Sequence, residues 1–156
     1  MARRRRADRR ESSPDPRYQN DLVKRLISQV MRRGKKTVAE GIVYGALEEV
    51  HDKTGEDEVQ VLQQAIDNVK PRVEVKSRRV GGATYQVPIE MSRDRQLALA
   101  LRWIISYSTA RKGVPMRTAL ARELVDAYKG EGDAIKKRDD THKMAQANRA
   151  FAHYRW

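Results

Sequence analysis

The residues of this chain best suited to covalent or metal chemistry lack the spacing for it. The three histidines, His51, His142 and His153, stand at no metal-ligand interval from one another or from carboxylates. Glu48/Glu49 and Asp139/Asp140 are sequence neighbours, and on a helix such neighbours diverge by about 100° and cannot share a proton. Gly81-Gly82 lacks the following Gly, Lys and Ser/Thr of a phosphate-binding loop. There is no Cys, which excludes disulfides and thiolate metal sites and fits a reducing compartment. No catalytic residue, metal or cofactor is expected. The chemistry this chain is equipped for is the binding of a polyanion.

Its cations come in clusters. Arg3, Arg4, Arg5, Arg6, Arg9 and Arg10 face a single Asp8 within the first ten residues. Lys24, Arg25, Arg32, Arg33, Lys35 and Lys36 span residues 24–36 without one acid. Arg72, Lys76, Arg78 and Arg79 follow, and six more Lys and Arg lie in 136–156. Residues 45–69 reverse the sign, with seven acids against Lys53. A net charge of +12 over 156 residues repels itself unless a polyanion is bound. Its segregation implies one side facing that partner and another facing solvent. Arginine favours bidentate contact with phosphate. No apolar run approaches the roughly 20 residues that span a bilayer. Arg3 to Arg6 precede further charges instead of an apolar signal-peptide core, so a soluble, cytoplasmic protein without a membrane partner or small-molecule substrate is expected.

The elements that must position these cations are mainly helical. Residues 1–19, with Ser12, Ser13, Pro14 and Pro16, read as an extended basic arm. Residues 20–156 read as one helical body, with a β-ribbon over 72–91 and a C-terminal helix and tail over 133–156. Leu22, Val23, Leu26, Ile27, Val30 and Met31 repeat at helical spacing up to Gly34. Thr37 and Glu40 have the spacing of a capping box, opening a helix with Val38, Ile42, Val43, Ala46, Leu47 and Val50 inward. Glu56, Asp57 and Glu58 suit the positive end of a third helix. The most apolar stretch, 95–110, is expected to be the central helix. A helix built on Leu120, Leu124, Val125 and Tyr128 follows, then a polar one from 133.

Between Val73 and Met91 the period drops to two, marking a β-hairpin around Gly81-Gly82. A three-residue turn over Gly81, Gly82 and Ala83 keeps the apolar face intact by pairing Val75 with Ile89 and Val73 with Met91. A two-residue turn sets Val75 against Pro88, so the odd loop is expected. Pro88 needs an unpaired, edge-facing amide. Lys76, Arg78 and Arg79 before the tip suit phosphates, and Tyr85 after it suits a splayed base. The tail, Phe151-Ala-His-Tyr-Arg-Trp156, is aromatic and cationic and suits docking on a partner or on the body. The fold class is a single-domain bundle of about six helices with a protruding two-stranded hairpin and a basic arm. The main rival for an RNA binder is an architectural DNA-binding protein with a basic β-arm. Such arms carry apolar wedges at their tips, and here the tip is Gly81-Gly82-Ala83. A nucleic-acid-processing enzyme is the second rival, and it lacks a metal or nucleophile cluster.

Met1-Ala-Arg-Arg-Arg-Arg6, Gly34-Lys-Lys36, Asn68-Val-Lys-Pro-Arg72, the sixteen residues Val73 to Pro88, and Met144 to Trp156 together resemble the bacterial or plastid family of small-subunit ribosomal protein seven, over essentially the whole chain. The pattern departs from that family at Arg33, at Ser92 to Gln96 and at Gly113 to Pro115. The resemblance implies a structural constituent of the ribosome that is a primary binder of the 3′ domain of 16S ribosomal RNA. Such a protein nucleates assembly of the small-subunit head. It implies RNA contact by the arm, by Lys24, Arg25 and the Gly34 junction, by the ribbon strands, and by Arg93, Arg95 and Arg102. It implies that Arg79, Gly81, Gly82, Thr84 and Tyr85 at the hairpin tip, with Lys136, Arg138, His142, Lys143 and Arg149, face exit-site transfer RNA and messenger RNA. Phe151, His153, Tyr154 and Trp156 then lie near small-subunit proteins nine and eleven. A plastid-encoded chain would act in the stroma.

Overall fold

A computed structural model of the protein describes residues 13–154. The first helix, α1 (Asp21–Val30), starts where the Asn20 side chain accepts a hydrogen bond from the Leu22 amide at 2.7 Å, and it buries Val23, Leu26, Ile27 and Val30. The chain reverses through Arg33 (φ 53°) and Gly34 (φ 73°) into α2 (Lys36–Thr54). Asp57 caps α3 (Glu58–Val69) by accepting from the Val59 amide at 3.0 Å. The strands β1 (Val73–Val80) and β2 (Ala83–Glu90) form an antiparallel ribbon. There follow α4 (Arg93–Ala110), α5 (Met116–Tyr128), α6 (Asp133–Ala147) and a 3-10 helix (Arg149–Tyr154). The expected fold class, a helical body with one β-hairpin, is the observed one.

The central helix is α5 and not the apolar 95–110 stretch. Helix α5 packs against α2, α3, α4 and α6 and buries Ala119, Leu120, Ala121, Leu124, Val125 and Ala127. Helix α4 buries only Ala100, Leu101, Ile104 and Ser108, leaving Leu97, Trp103, Ile105 and Tyr107 partly covered. The reason is size. Three alanines on α5 let neighbouring helices approach closely, whereas the bulkier α4 forms an outer layer. Close approach also needs Gly45 on α2, where a Cβ would meet Arg117 Nε at 2.5 Å. Across that glycine, Arg117 reaches Glu49 at 3.0 Å.

One carboxylate is fully buried in this core. Glu123 Oε2 accepts from Arg111 at 2.6 Å and its Oε1 accepts from the Ala134 amide at 3.1 Å. Arg111 also reaches Asp126 at 2.7 Å. The buried charge is therefore paired, and it satisfies an otherwise orphan amide at the start of α6.

Three local expectations need correction. The capping box does not form, because α2 already begins at Lys36. Lys35 caps without a side-chain bond, and Glu40 pairs with Lys36 at 3.0 Å instead. Val38 is 56% exposed; the inward face of α2 runs through Ala39, Val43, Ala46 and Val50, and Val38 falls on its flank. Residues 13–19, expected to belong to an extended arm, are folded onto the body. Buried Asp15 accepts from the Arg17 and Tyr18 amides and from the Tyr44 hydroxyl at 2.7 Å. Burial, together with that bond, pushes the Tyr44 hydroxyl up to about 12.

The hairpin register is also corrected. Gly81 and Gly82 form a two-residue turn, Val80 pairs with Ala83, and Val75 stands opposite Pro88. Both glycines have positive φ (57° and 88°), as a type I′ turn requires. Turn chemistry prevails over a continuous apolar face because both faces of the ribbon are partly covered. Glu74, Val87 and Ile89 share one face, and Val73, Val75 and Pro88 share the other. Counting outward from the turn, the Val75–Pro88 pair is a non-hydrogen-bonded one, so proline's missing N–H removes no ladder bond, as expected of it.

Candidate nucleic-acid interface

Helices α1 and α4 lie side by side, and basic residues remote in sequence meet along their seam. Lys24 and Arg25 line a groove with Leu97, Ala98 and Leu101 of α4. One turn further on, Arg32 and Arg102 line a second cleft with Gln29, Ile105 and Ser106. Lys24 donates to the Ser13 carbonyl, and Arg25 pairs with Asp21 at 2.7 Å. Among the described residues, exposed Arg32, Arg33, Lys35, Arg93 and Arg102 have no carboxylate partner. Their charge is left to an external anion.

The ribbon base is tied to the same seam. Glu74 is nearly buried, and Arg95 near the start of α4 grips it by three hydrogen bonds of 2.6–2.8 Å. Lys76 adds a contact at 3.3 Å. Burial pushes the Glu74 carboxyl up, but the bonds from Arg95 and Lys76 outweigh it and hold the group below its ordinary range. Arg95, expected to meet RNA, thus also ties the ribbon to the body, and Lys76, likewise expected to meet RNA, reinforces Glu74 from within the same strand. Glu74 is the functional residue that sequence reasoning passed over; the signal was a lone acid inside the basic run 72–79.

The register sorts the tip residues. Arg79 and Thr84 pair on the open face of the ribbon, whereas Arg78 and Tyr85 pair on the other. The Tyr85 ring packs against Phe151 at 5.3 Å and Tyr154 at 4.9 Å between centroids. The tail therefore docks on β2 and holds the tyrosine expected to stack on a base. His153 stacks on Tyr154 at 4.0 Å.

Helix α6 supplies the third group. His142 Nε2 accepts from the Arg72 amide at 3.0 Å, joining α6 to the first residue of the ribbon region. Burial, reinforced by Arg138 and Arg72 and opposed by Asp139, lowers its proton affinity. Arg138 pairs with Asp139 at 2.7 Å and donates to the Asn68 carbonyl. Lys136 lies 3.7 Å from Asp133, and Lys143 and Arg149 are exposed. Arg3, Arg4, Arg5, Arg6, Arg9, Arg10 and Trp156 lie outside the described residues.

The acids of residues 45–69 are largely paired within the body. Glu48 pairs with Arg17 at 2.8 Å, Glu49 with Arg117 and Lys53, and Glu58 faces His51 at 3.7 Å. Among the described residues no cluster of three or more His, Asp or Glu could hold a metal ion, and no helix is long and apolar enough to cross a membrane.

Fold and site together define a helical protein in which Arg32, Arg33, Lys35, Arg93 and Arg102, exposed and without a carboxylate partner among the described residues, lie along one helix seam and its junction, an architecture suited to a polyanion. Residues 2–149 match the profile of the family described as Ribosomal protein S7p/S5e. The chain is 56% identical over 156 residues to "Small ribosomal subunit protein uS7" of Sorangium cellulosum, covering all of both chains. It is 58% identical over 154 residues to the protein of that name from Thermotoga petrophila, covering 99% of each. The chain belongs to the ribosomal protein S7p/S5e family. These relatives are named as ribosomal proteins and not as enzymes.

Proposed function

We propose that the chain is a structural constituent of the small ribosomal subunit that binds the 3′ domain of 16S ribosomal RNA and nucleates assembly of the subunit head. The observation that carries this reading is the meeting of Arg32 and Arg102 in one cleft, with the ribbon braced to the same helix through Glu74 and Arg95. Sequence-remote cations then clamp one RNA junction. Counterion release supplies most of the affinity, and RNA shape supplies most of the specificity. The arm, Lys24, Arg25, Arg32, Arg33, Lys35, Lys36, Arg72, Lys76, Arg78, Arg79, Arg93, Arg95 and Arg102 form the ribosomal RNA surface. The hairpin tip and α6, with Lys136, Arg138, His142, Lys143 and Arg149, face exit-site transfer RNA and messenger RNA. The tail, with Phe151, His153, Tyr154 and Trp156, lies toward small-subunit proteins nine and eleven. The protein acts on cytoplasmic ribosomes, or in the stroma if plastid-encoded.

Binding of a 3′-domain transcript should weaken as salt rises, by about 0.7–0.9 log units per neutralised phosphate per log unit of salt. A flat response excludes the clamp. Competition with duplex DNA separates this reading from an architectural DNA-binding one, which requires the duplex to displace the transcript.

A further inference from the structure

We infer that the apolar groove between the α1–α2 junction, α4 and the start of α5 receives one unpaired base of the bound RNA, turned out of its stack. The inference rests on the RNA-binding reading above and adds to it a site and a ligand group. Val30, Val38, Ile42, Ile105 and Met116 line the groove, with Arg32 and Lys35 among its lining residues. Its volume is about 290 Å³, on the order of ten waters at ~30 Å³ each, which admits the ring atoms of a nucleobase.

Three observations select a base of the RNA over an apolar side chain of a protein. First, the groove is continuous with the cationic cleft, since Arg32, Ile105 and Thr109 line both. A strand whose phosphates lie on Arg32 and Arg102 passes its mouth. Second, its charged lining residues are two cations without a carboxylate partner among the described residues, and no acid lines it. This complements a group carrying phosphates on both sides. Third, Val38, a groove-lining residue beside the cationic junction, is 56% exposed, so the apolar wall is open to a strand lying on Arg32. Unstacked bases are the parts of RNA that proteins bury. The Thr109 hydroxyl already donates to the Ile105 carbonyl at 2.8 Å. The apolar walls therefore hold the base by shape and dispersion, and the Thr109 proton is not available to its edge.

The full chain and a 3′-domain transcript test this. Ultraviolet cross-linking followed by peptide mapping should place adducts at Val38, Ile42 or Met116, which line the groove and not the cleft. The neutral pair Val38→Ser with Met116→Gln should lower affinity about tenfold while leaving the salt slope unchanged. Arg32→Ala should instead reduce that slope by about one phosphate's worth. Adducts confined to the α1–α4 cleft, with full affinity in the neutral pair, overturn the base site and leave RNA binding standing. Absence of transcript binding by the unsubstituted protein overturns both. Should the neutral pair melt early, adduct positions on the unsubstituted chain decide alone.

Discussion

Arg111 and Arg102 are nine positions apart on the same stretch of chain, yet they have opposite roles. Arg111, just past α4, is partly buried and closes on buried Glu123 and on Asp126, so its charge serves the core. Arg102 lines an open cleft with Arg32 and has no acid partner among the described residues. The same contrast separates two regions of the molecule. Around the acidic end of α2, Arg17 and Arg117 are consumed by Glu48 and Glu49, whereas Arg32 and Arg102 in the α1–α4 cleft have no carboxylate partner among the described residues. The number of cations in a region therefore says little about binding; their pairing state decides it.

The contrast breaks most visibly at Arg111. Arg111→Ala leaves the Glu123 charge buried without its cation, which should cost about 3–5 kcal/mol, read by chemical denaturation. RNA affinity of the folded fraction should stay unchanged. A small loss of stability would erase the distinction between the regions. Arg32→Ala with Arg102→Ala should do the reverse. Stability should change by less than ~0.5 kcal/mol, while RNA affinity falls by about 1.5–3 kcal/mol and the salt slope drops by ~1.5. An unaltered slope would show that these cations touch no phosphate.

Glu74 lies between the two classes, since it engages two cations of the proposed RNA surface, and through Arg95 it ties the ribbon to α4. Glu74→Gln should destabilise the ribbon by about 1 kcal/mol, a modest figure because Arg95 is half exposed. Its folded pKa is depressed, so this stability is present above the unfolded value near ~4.3 and is lost as pH falls through the folded one. Acid titration of amide exchange across β1 checks it, and exchange that is flat across this range would deny the clamp.

His142 gives the smallest effect. Its folded pKa is lowered, so the unfolded chain takes up the proton first. The bond from the Arg72 amide is stable above ~6.5 and weakens as pH falls below it. Amide exchange at Arg72 should accelerate there. Titration of His142 at or above its ordinary value would remove the contact from the account.

Much was legible in the sequence because it depends on neighbours along the chain. Helical spacing from Leu22 to Val30, the Asp57 start of α3, the period-two stretch around Gly81-Gly82 and the alternation of basic and acidic segments all report local geometry. So does the family resemblance, carried by contiguous runs such as Val73 to Pro88. Tertiary structure alone decided that α5 is central, that the ribbon turns on two residues with Glu74 facing the body, that Tyr85 meets Phe151 and Tyr154, and that Arg102 is unpaired while Arg111 is not. Hydropathy measures what a side chain prefers, but packing depends on which helix is thin enough to be surrounded. A charge is spent or available according to an acid that is often tens of residues away, as Glu74 is from Arg95. That distance along the chain is bridged only when the helices assemble.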